Sequence, residues 1–289
     1  MKAQEINREL DQAREAGPVK DIVIPPCPQL LVQLQTELNQ ADPDPQVIAN
    51  IAGSDVAMTA ALMRIANSPL YARREPVRSV AQAVSMLGMK PTASLLTGFL
   101  LRHTIRIDPT LIEHFWESST RRSLAMAHIA GQMYGMDVEV AKTCGLFFHV
   151  GIPVMLQGVR GYSGTLVEAM ARQDRTFVQT ENIAHRTDHA VVGAIVARTW
   201  RLPQVIAHAV RLHHDFSVLH DEGIALEVRN LVAIAAIADH LVAHHEGIKV
   251  QREWQRHGAE CLDFLQIAQA EVDGWVDVLY PAFESVVVA

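Results

Sequence analysis

The chain is organised around one stretch, Lys142-Thr143-Cys144-Gly145-Leu146-Phe147-Phe148-His149-Val150-Gly151-Ile152-Pro153. Its apolar first half predicts the end of a buried helix, and Val-Gly-Ile-Pro predicts a bend directly after it. His149 would therefore lie at a helix end with buried packing on one side. A histidine in such a place suggests a metal ligand. The next residue is Val150, however, which has no donor atom where a divalent ion would favour a carboxylate.

The composition predicts a globular protein with a large core. The chain has 289 residues, of which 49% are apolar, and this is enough for one large domain or two ordinary ones. The formal net charge is −7, so the chain lacks the basic excess that a nucleic-acid surface normally shows. We therefore expect no nucleic-acid partner.

The cysteines and the apolar runs predict where the protein resides. Cys27, Cys144 and Cys261 are widely spaced and odd in number, and they include no Cys-x-x-Cys pair, so neither a disulfide framework nor a zinc knuckle is indicated. The N-terminus has no apolar core of signal-peptide length, and apolar runs elsewhere are interrupted well short of about 18 residues. We expect a reduced, cytoplasmic protein with no membrane segment.

The first third of the chain predicts an arm followed by five short helices. Residues 1–19 are a charged arm or terminal helix that ends at Gly17-Pro18, and the prolines that follow predict an extended lead-in. Apolar residues at helical spacing then mark five helices over residues 20–107. Ser54 and Ser79 are the predicted N-caps of the third and fourth of these helices.

Residues 108–289, which begin at the break Asp108-Pro109, predict a second helical unit. Long helices are expected from Leu111 to Tyr134, over 138–149 and over 228–245, and the last two near 261–270 and 272–283. Alternation typical of strands is hardly present. The predicted fold class is all-α, with two packed helical subdomains.

Fourteen histidines are present, and their positions matter more than their number. The candidates at predicted helix ends or on apolar faces are His149, His189, His213 and His214, together with Asp239. Metal sites in helical proteins are built from such side chains, supplied by several helices. Taken singly, each histidine is better explained as a hydrogen-bonded structural residue. The case for a site therefore depends on their joint order.

Several motifs in order carry a resemblance to a known family. In the first half they are Ser54-Asp55-Val56-Ala57, Leu62-Met63-Arg64-Ile65-Ala66-Asn67-Ser68 and the run from Ser79 to Leu87-Gly88. In the second half they are Phe115-Trp116-Glu117-Ser118-Ser119, the Cys144 to Ile152 segment, Asp188-His189-Ala190-Val191-Val192-Gly193, Trp200-Arg201-Leu202-Pro203 and His213-His214. Over about residues 22–245 the chain resembles the HDOD domain, a relative of the HD and HD-GYP metal-dependent phosphohydrolases. The resemblance implies an HD-like helical bundle for the C-terminal subdomain.

Compared position by position, the resemblance implies a metal site that has lost donors. Active HD enzymes have a histidine early in the helix after the Phe-Trp pair, where this chain has Ser118 or Ser119. His149 matches the histidine of the metal-bridging His-Asp pair, but Val150 stands in place of the aspartate. The remaining positions are matched by His189, His213, His214 and Asp239. We therefore expect no catalytic residues, no cofactor beyond one weakly bound divalent ion at this vestigial site, and no working binuclear hydrolase.

Three functions stay open at this point. The first is a non-catalytic signal-transduction module that binds a partner protein or a small ligand. Similar family members occur beside response-regulator or cyclic di-GMP modules, so a signalling protein of that kind is the expected partner. The second is a degenerate metal-dependent phosphohydrolase that acts on a cyclic dinucleotide or nucleotide. The third is a pocket that binds a nucleotide without cleaving it, and homodimer formation is left open.

Overall fold

A computed structural model describes residues 3–68, 71, 76–106, 114–249 and 251–286. Within these ranges the chain forms sixteen α-helices and two short 3-10 helices, Pro18–Asp21 and Phe216–His220, and no strand. The α-helices are α1 (Ala3–Glu15), α2 (Gln29–Leu38), α3 (Pro45–Gly53), α4 (Val56–Ala66), α5 (Val80–Leu87), α6 (Met89–Thr104), α7 (Phe115–Gly131), α8 (Val138–Phe147), α9 (Gly151–Gly158), α10 (Tyr162–Ala171), α11 (Phe177–His185), α12 (His189–Thr199), α13 (Gln204–Leu212), α14 (Leu226–His245), α15 (Arg252–Leu265) and α16 (Gln269–Glu284). The predicted all-α fold is confirmed.

Helix breaks in the first half lie close to where prolines and glycines predicted them. Residues 22–28 are extended, and α2 begins directly after them. Ser79 caps α5 as predicted, and Gly88 ends that helix with φ at 89°, in the left-handed region that favours glycine. One cap was predicted wrongly. Asp55, not Ser54, caps α4, because its extended backbone lets the carboxylate accept the Met58 amide at 2.7 Å.

Two helices of the second half differ from prediction. Helix α9 was not expected after the Val-Gly-Ile-Pro bend, but Pro153 lies in its first turn, where a missing N–H costs no helical hydrogen bond. Helix α15 begins at Arg252, well before the predicted start near Cys261, because its first turns are polar and show no apolar stripe. The predicted break at Asp108-Pro109 and the predicted helix start at Leu111 lie outside the described residues.

One apolar core runs through both groups of helices. Helices α2 to α6 pack against one another, α6 also packs on α8, and α8 packs on α7 in the second group. The extended lead-in is fastened to the second group by Trp200, whose buried indole donates to the Pro25 carbonyl at 3.0 Å. The bend at His149 therefore lies in a fold whose two groups of helices are packed against each other.

Helices α8 and α9 together form a longer apolar segment than the sequence analysis expected. By length and composition the segment from Val138 to Gly158 could cross a membrane, as could the pairs α3 with α4 and α5 with α6 if each were one span. Those pairs bend by 119° and 116°. In the fold, 67% of the apolar window of Val138–Gly158 is buried inside the protein, so packing accounts for much of its composition. The absence of a membrane segment stays a prediction.

The N-terminal segment is a docked helix. On α1, Ile6 and Leu10 are fully buried, and the helix packs on α12 and α13. Ion pairs border this contact, with Asp11 at 2.6 Å from Arg198 and Glu9 at 2.5 Å from Arg211. Helix α1 therefore supports the two helices that lead to His189, His213 and His214.

We expect Leu10→Ala to lower the free energy of unfolding by about 2–5 kcal/mol, because it leaves a cavity between α1 and the helices beneath it. Leu226→Ala is the control, since Leu226 is 58% exposed and its truncation should change stability by about 0.5 kcal/mol or less. Urea denaturation followed by circular dichroism measures both. Equal midpoints for the two variants would mean that α1 is not docked in solution.

Candidate metal centre

Four of the predicted histidines meet at one point. His149 lies in the bend between α8 and α9, His189 is the first residue of α12, and His213 and His214 follow α13 directly. One ring nitrogen of each lies within 4.8 Å of the others. The helix ends therefore bring together residues that are up to 65 positions apart, from His149 to His214 (214 − 149 = 65).

The inward atoms are Nδ1 of His149 and Nε2 of the other three histidines. His189 Nε2 lies 3.2 Å from His149 Nδ1, 3.4 Å from His213 Nε2 and 3.0 Å from His214 Nε2. His149 Nδ1 and His213 Nε2 are 3.4 Å apart. A tetrahedral ion with metal–nitrogen bonds of about 2.0–2.1 Å separates its ligand atoms by roughly 3.3 Å. Four of the six pairs of inward nitrogens therefore have about the separation that one tetrahedral ion needs, and the other two pairs lie within 4.8 Å.

The outward ring nitrogen of every histidine in the cluster faces an acceptor. The N···O pairs are His189 Nδ1 with the Glu181 carboxylate at 2.8 Å, His213 Nδ1 with the Val210 carbonyl at 2.7 Å, His214 Nδ1 with the Glu253 carboxylate at 2.6 Å and His149 Nε2 with the Asp239 carboxylate at 3.5 Å. In the neutral form of each imidazole the proton lies on the side of the acceptor, and the inward nitrogen then carries a lone pair. Four lone pairs aimed at one point repel one another unless a cation lies between them.

Burial and neighbouring charges shift the pKa of three histidines of the cluster. Burial lowers the pKa of His149 well below the usual value, and the Arg122 guanidinium and the neighbouring imidazoles lower it further. Burial and His214 lower the pKa of His213 in the same way. Burial also acts to lower the pKa of His214, but the carboxylates of Glu253, Glu181 and Asp239 together outweigh it and raise that pKa. His149 and His213 are thus neutral at pH 7, which is the form that binds a metal.

Glu181 is the most buried of the three carboxylate acceptors, and sequence reasoning missed it. Its side chain is fully buried, and it accepts hydrogen bonds from His189 and from the Tyr162 hydroxyl. Burial and this carboxylate raise the pKa of Tyr162, so the phenol stays protonated and donates. Glu181 follows Phe177 by one helical turn, and the Phe177 ring packs edge-on against His189. That spacing was the only signal in the sequence that Glu181 points inward.

Asp239 lies beside the four inward nitrogens, but it is not part of the four-histidine group. One of its oxygens accepts from the Arg122 guanidinium at 2.5 Å, while the other faces His149. Arg122 is largely buried and follows Ser118 by one turn of α7. The carboxylate is therefore paired with an internal cation, and Asp239 as a metal ligand stays a prediction.

The positions that lack donors serve other contacts. Val150 is fully buried, and its Cγ1 lies 3.4 Å from the point where a side chain on Gly193 of α12 would begin. Ser118 donates to the Glu246 carboxylate at 2.6 Å, and Ser119 is buried. Val150 thus supplies packing between α9 and α12.

A cavity of about 1060 Å³ opens beside the histidines. Its walls come mainly from α7, α10, α14 and α15, and they combine apolar side chains such as Met170, Phe177 and Trp254 with charged ones such as Arg121 and Glu246. Ligand pockets in proteins commonly have volumes of about 300–1000 Å³. The cavity is therefore large enough for a small organic ligand or for a segment of a partner.

The helix order and the histidines at helix ends beside a cavity define an HD-like helical protein. A model of the HDOD domain matches residues 24–216, and the chain belongs to the HDOD domain family. The resemblance found in the motifs is therefore confirmed.

Solved structures share the fold. An HDOD domain protein with unknown function from Geobacter sulfurreducens has a TM-score of 0.70 and 22% identity, covering 98% of this chain and 100% of that chain. A "Putative phosphohydrolase" from Shewanella amazonensis SB2B has a TM-score of 0.73 and 17% identity, covering 97% and 96% of the two chains. A "Putative signal transduction protein" from Marinobacter aquaeolei VT8 has a TM-score of 0.73 and 17% identity, covering 99% and 67%.

One curated relative matches in sequence. It is an uncharacterized protein from Treponema pallidum (strain Nichols), which is 20% identical over 266 residues. The match covers 91% of this chain, and this chain spans about half the length of that relative (50%).

Proposed function

We propose that this chain is a non-catalytic signal-transduction module in which one divalent metal ion, bound by four histidines, fixes the helices around a ligand cavity. The observation that carries the proposal is the convergence of four imidazole nitrogens whose lone pairs are kept free by outer acceptors. Binding of a partner protein or a small ligand would rearrange these helices, and this rearrangement would transmit the signal.

The donor type indicates the class of ion. Imidazole nitrogen suits zinc, copper, nickel and iron, whereas calcium and magnesium favour oxygen ligands. His189 and His214 each donate their outer N–H to a carboxylate, an arrangement that orients metal-binding imidazoles. A transition ion of the zinc class is therefore the expected occupant.

The same arrangement argues against hydrolysis. Catalytic zinc sites keep a coordination position open for water, whereas structural sites fill all four positions with protein ligands. The four inward nitrogens would fill a tetrahedral shell. A second ion would need a bridging carboxylate, but the chain has Val150 at that position and the guanidinium of Arg122 on Asp239. The role we propose for the ion is therefore to hold helices together.

The proposal also includes a signalling role, a partner and a cellular location. The family match and the name of the Marinobacter neighbour support a role in signalling. We propose a signalling protein partner of the response-regulator or cyclic di-GMP type, in the cytoplasm. The cavity wall formed by α7, α10 and α15 is the surface that such a partner or its ligand would contact.

The protein purified without an affinity tag should contain about one equivalent of a transition metal, and His189→Ala should lose it. His189 Nε2 is the atom that lies near all three other inward nitrogens, so its removal opens the shell. Elemental analysis by mass spectrometry measures the stoichiometry. His220→Ala is the matched control, because that histidine is exposed and bonds only to Glu260 among the contacts described.

Hydrolysis assays on cyclic dinucleotides and nucleotides complete the test. We expect no turnover above the background of the His189→Ala variant. Turnover that requires bound metal and disappears in His149→Ala would replace this proposal with the phosphohydrolase alternative. A wild-type protein that holds no ion and takes up none on titration with zinc would contradict the metal centre itself.

A further inference from the structure

We infer that Glu253 is a positioning residue that couples the four-histidine centre to helix α15, so that occupancy of the centre and docking of this helix stabilise each other. The inference rests on the proposed function, since it needs the metal ion. It concerns a part of the chain beyond residues 24–216, the segment that the family model matches.

The first step is the bond between Glu253 and His214. Glu253 Oε1 lies 2.6 Å from His214 Nδ1, while His214 Nε2 points into the cluster, 3.0 Å from His189 Nε2. Two consecutive histidines, His213 and His214, must both turn inward after α13. His213 is fixed by a backbone carbonyl of its own helix, but His214 has its acceptor on α15. The orientation of His214 therefore depends on a helix that is distant in sequence.

The second step is the way α15 lies across the cavity. Its first turns contribute Arg252, which donates to the Ala171 carbonyl of α10 at 3.2 Å, and Trp254, which stacks on His240 of α14 at 4.3 Å. One turn further, His257 stacks on Phe216 at 4.3 Å. All of these residues except Ala171 also line the cavity. The beginning of α15 is thus a wall of the cavity, fastened to α10 and α14 and to the histidine centre.

The third step is thermodynamic. Outer acceptors of metal-bound histidines typically change metal affinity by about 10–100-fold when they are mutated. Coupling between two binding events is reciprocal, so an ion that binds more tightly when Glu253 is docked must also favour the docked helix. A ligand that enters the cavity by displacing the beginning of α15 would therefore release part of the support of His214. This gives the proposed module a physical connection between its ligand and its metal centre.

The test measures metal affinity and helix docking in the full chain. For Glu253→Ala we expect zinc affinity, measured by competition with a chromophoric chelator, to fall by about 10–100-fold. In the metal-free state we expect faster amide hydrogen exchange over residues 251–257 than in the wild type. In the wild type, added zinc should slow exchange in the same residues.

Glu260→Ala is the matched control. Glu260 lies on the same helix and also bonds to histidines, at 2.8 Å to His220 and 3.2 Å to His257, but neither belongs to the four-histidine centre. Its zinc affinity should stay within about twofold of the wild type. Glu253→Gln, which can still accept from His214 Nδ1, should keep more affinity than Glu253→Ala.

The outcomes separate this inference from the proposed function. If the wild type binds zinc and Glu253→Ala binds it equally well, the coupling is wrong while the metal centre stands. If zinc binds but does not change exchange over residues 251–257, the coupling is also overturned. If the wild type binds no ion, the proposed function and the coupling both fail, and the metal-free exchange data still decide whether Glu253 anchors α15.

Discussion

Gly151→Ala is expected to lower the free energy of unfolding by about 3 kcal/mol or more, because the glycine lets α9 and α12 approach closely. A Cβ at this position would run into the carbonyl oxygen of His189 and would lie 2.9 Å from the Gly193 amide nitrogen. Both are backbone atoms, which cannot turn aside as a flexible side chain would. Overpacking typically costs about 1–3 kcal/mol and occasionally more, and backbone obstruction belongs at the upper end. Urea denaturation measures the loss.

The same substitution should weaken metal binding, because the residue that must move is His189. Gly164→Ala controls for the general effect of replacing a helical glycine with alanine. Gly164 lies in helix α10, and a Cβ there would meet nothing within 4 Å. Alanine favours a helix over glycine by up to about 1 kcal/mol, so this variant should be as stable as the wild type or slightly more stable. If Gly151→Ala also left stability unchanged, the close contact of α9 with α12 would be wrong.

Glu181→Ala is the second substitution with a large expected effect. It removes the acceptor of two buried donors, the Tyr162 hydroxyl and His189 Nδ1, and leaves a cavity between them. Removing one member of a buried polar group of this kind costs about 3–5 kcal/mol. Because His189 loses the group that orients its ring, metal affinity should also fall by about 10–100-fold. Thermal unfolding with and without zinc measures both effects.

Two variants show whether the Glu181 effect comes from the buried carboxylate. Glu181→Gln keeps the size of the side chain and one acceptor oxygen, so its loss of stability should be clearly smaller. Glu168→Ala removes a partly exposed carboxylate of α10 that pairs with Arg172 and Arg175, and it should leave metal affinity unchanged. A Glu181→Ala variant that behaved like Glu168→Ala would show that His189 is oriented without its carboxylate.

Local sequence determined most of the secondary structure. Prolines, glycines and apolar spacing predicted the all-α fold, and the caps at Ser79 and Gly88 agree with the structure. Prediction failed where local signals were weak or misplaced. The polar first turns of α15 show no apolar stripe, and α9 begins with a Gly-Ile-Pro sequence that is more typical of the bend after a helix. Asp55 rather than Ser54 caps α4, because Asp55 has the extended backbone of a cap residue and its carboxylate accepts a backbone amide.

The order of motifs also determined the family and pointed to the candidate histidines. Spacing along the chain could not place their ring nitrogens within a few ångströms of one another, since that distance depends on how α9, α12 and α13 pack. It could not assign the proton of each ring either. The acceptors that do so, Glu181 and Glu253, come from α11 and α15 and carry no motif of their own.

The sequence by itself thus determined that this is an all-helical HDOD protein, because helix signals and motifs are local properties. Only the tertiary structure decided that Arg122 holds Asp239 and that the four inward nitrogens share one centre. The physical reason is that ion pairs and metal geometry depend on distances between helices, which close packing of buried side chains sets across the whole chain.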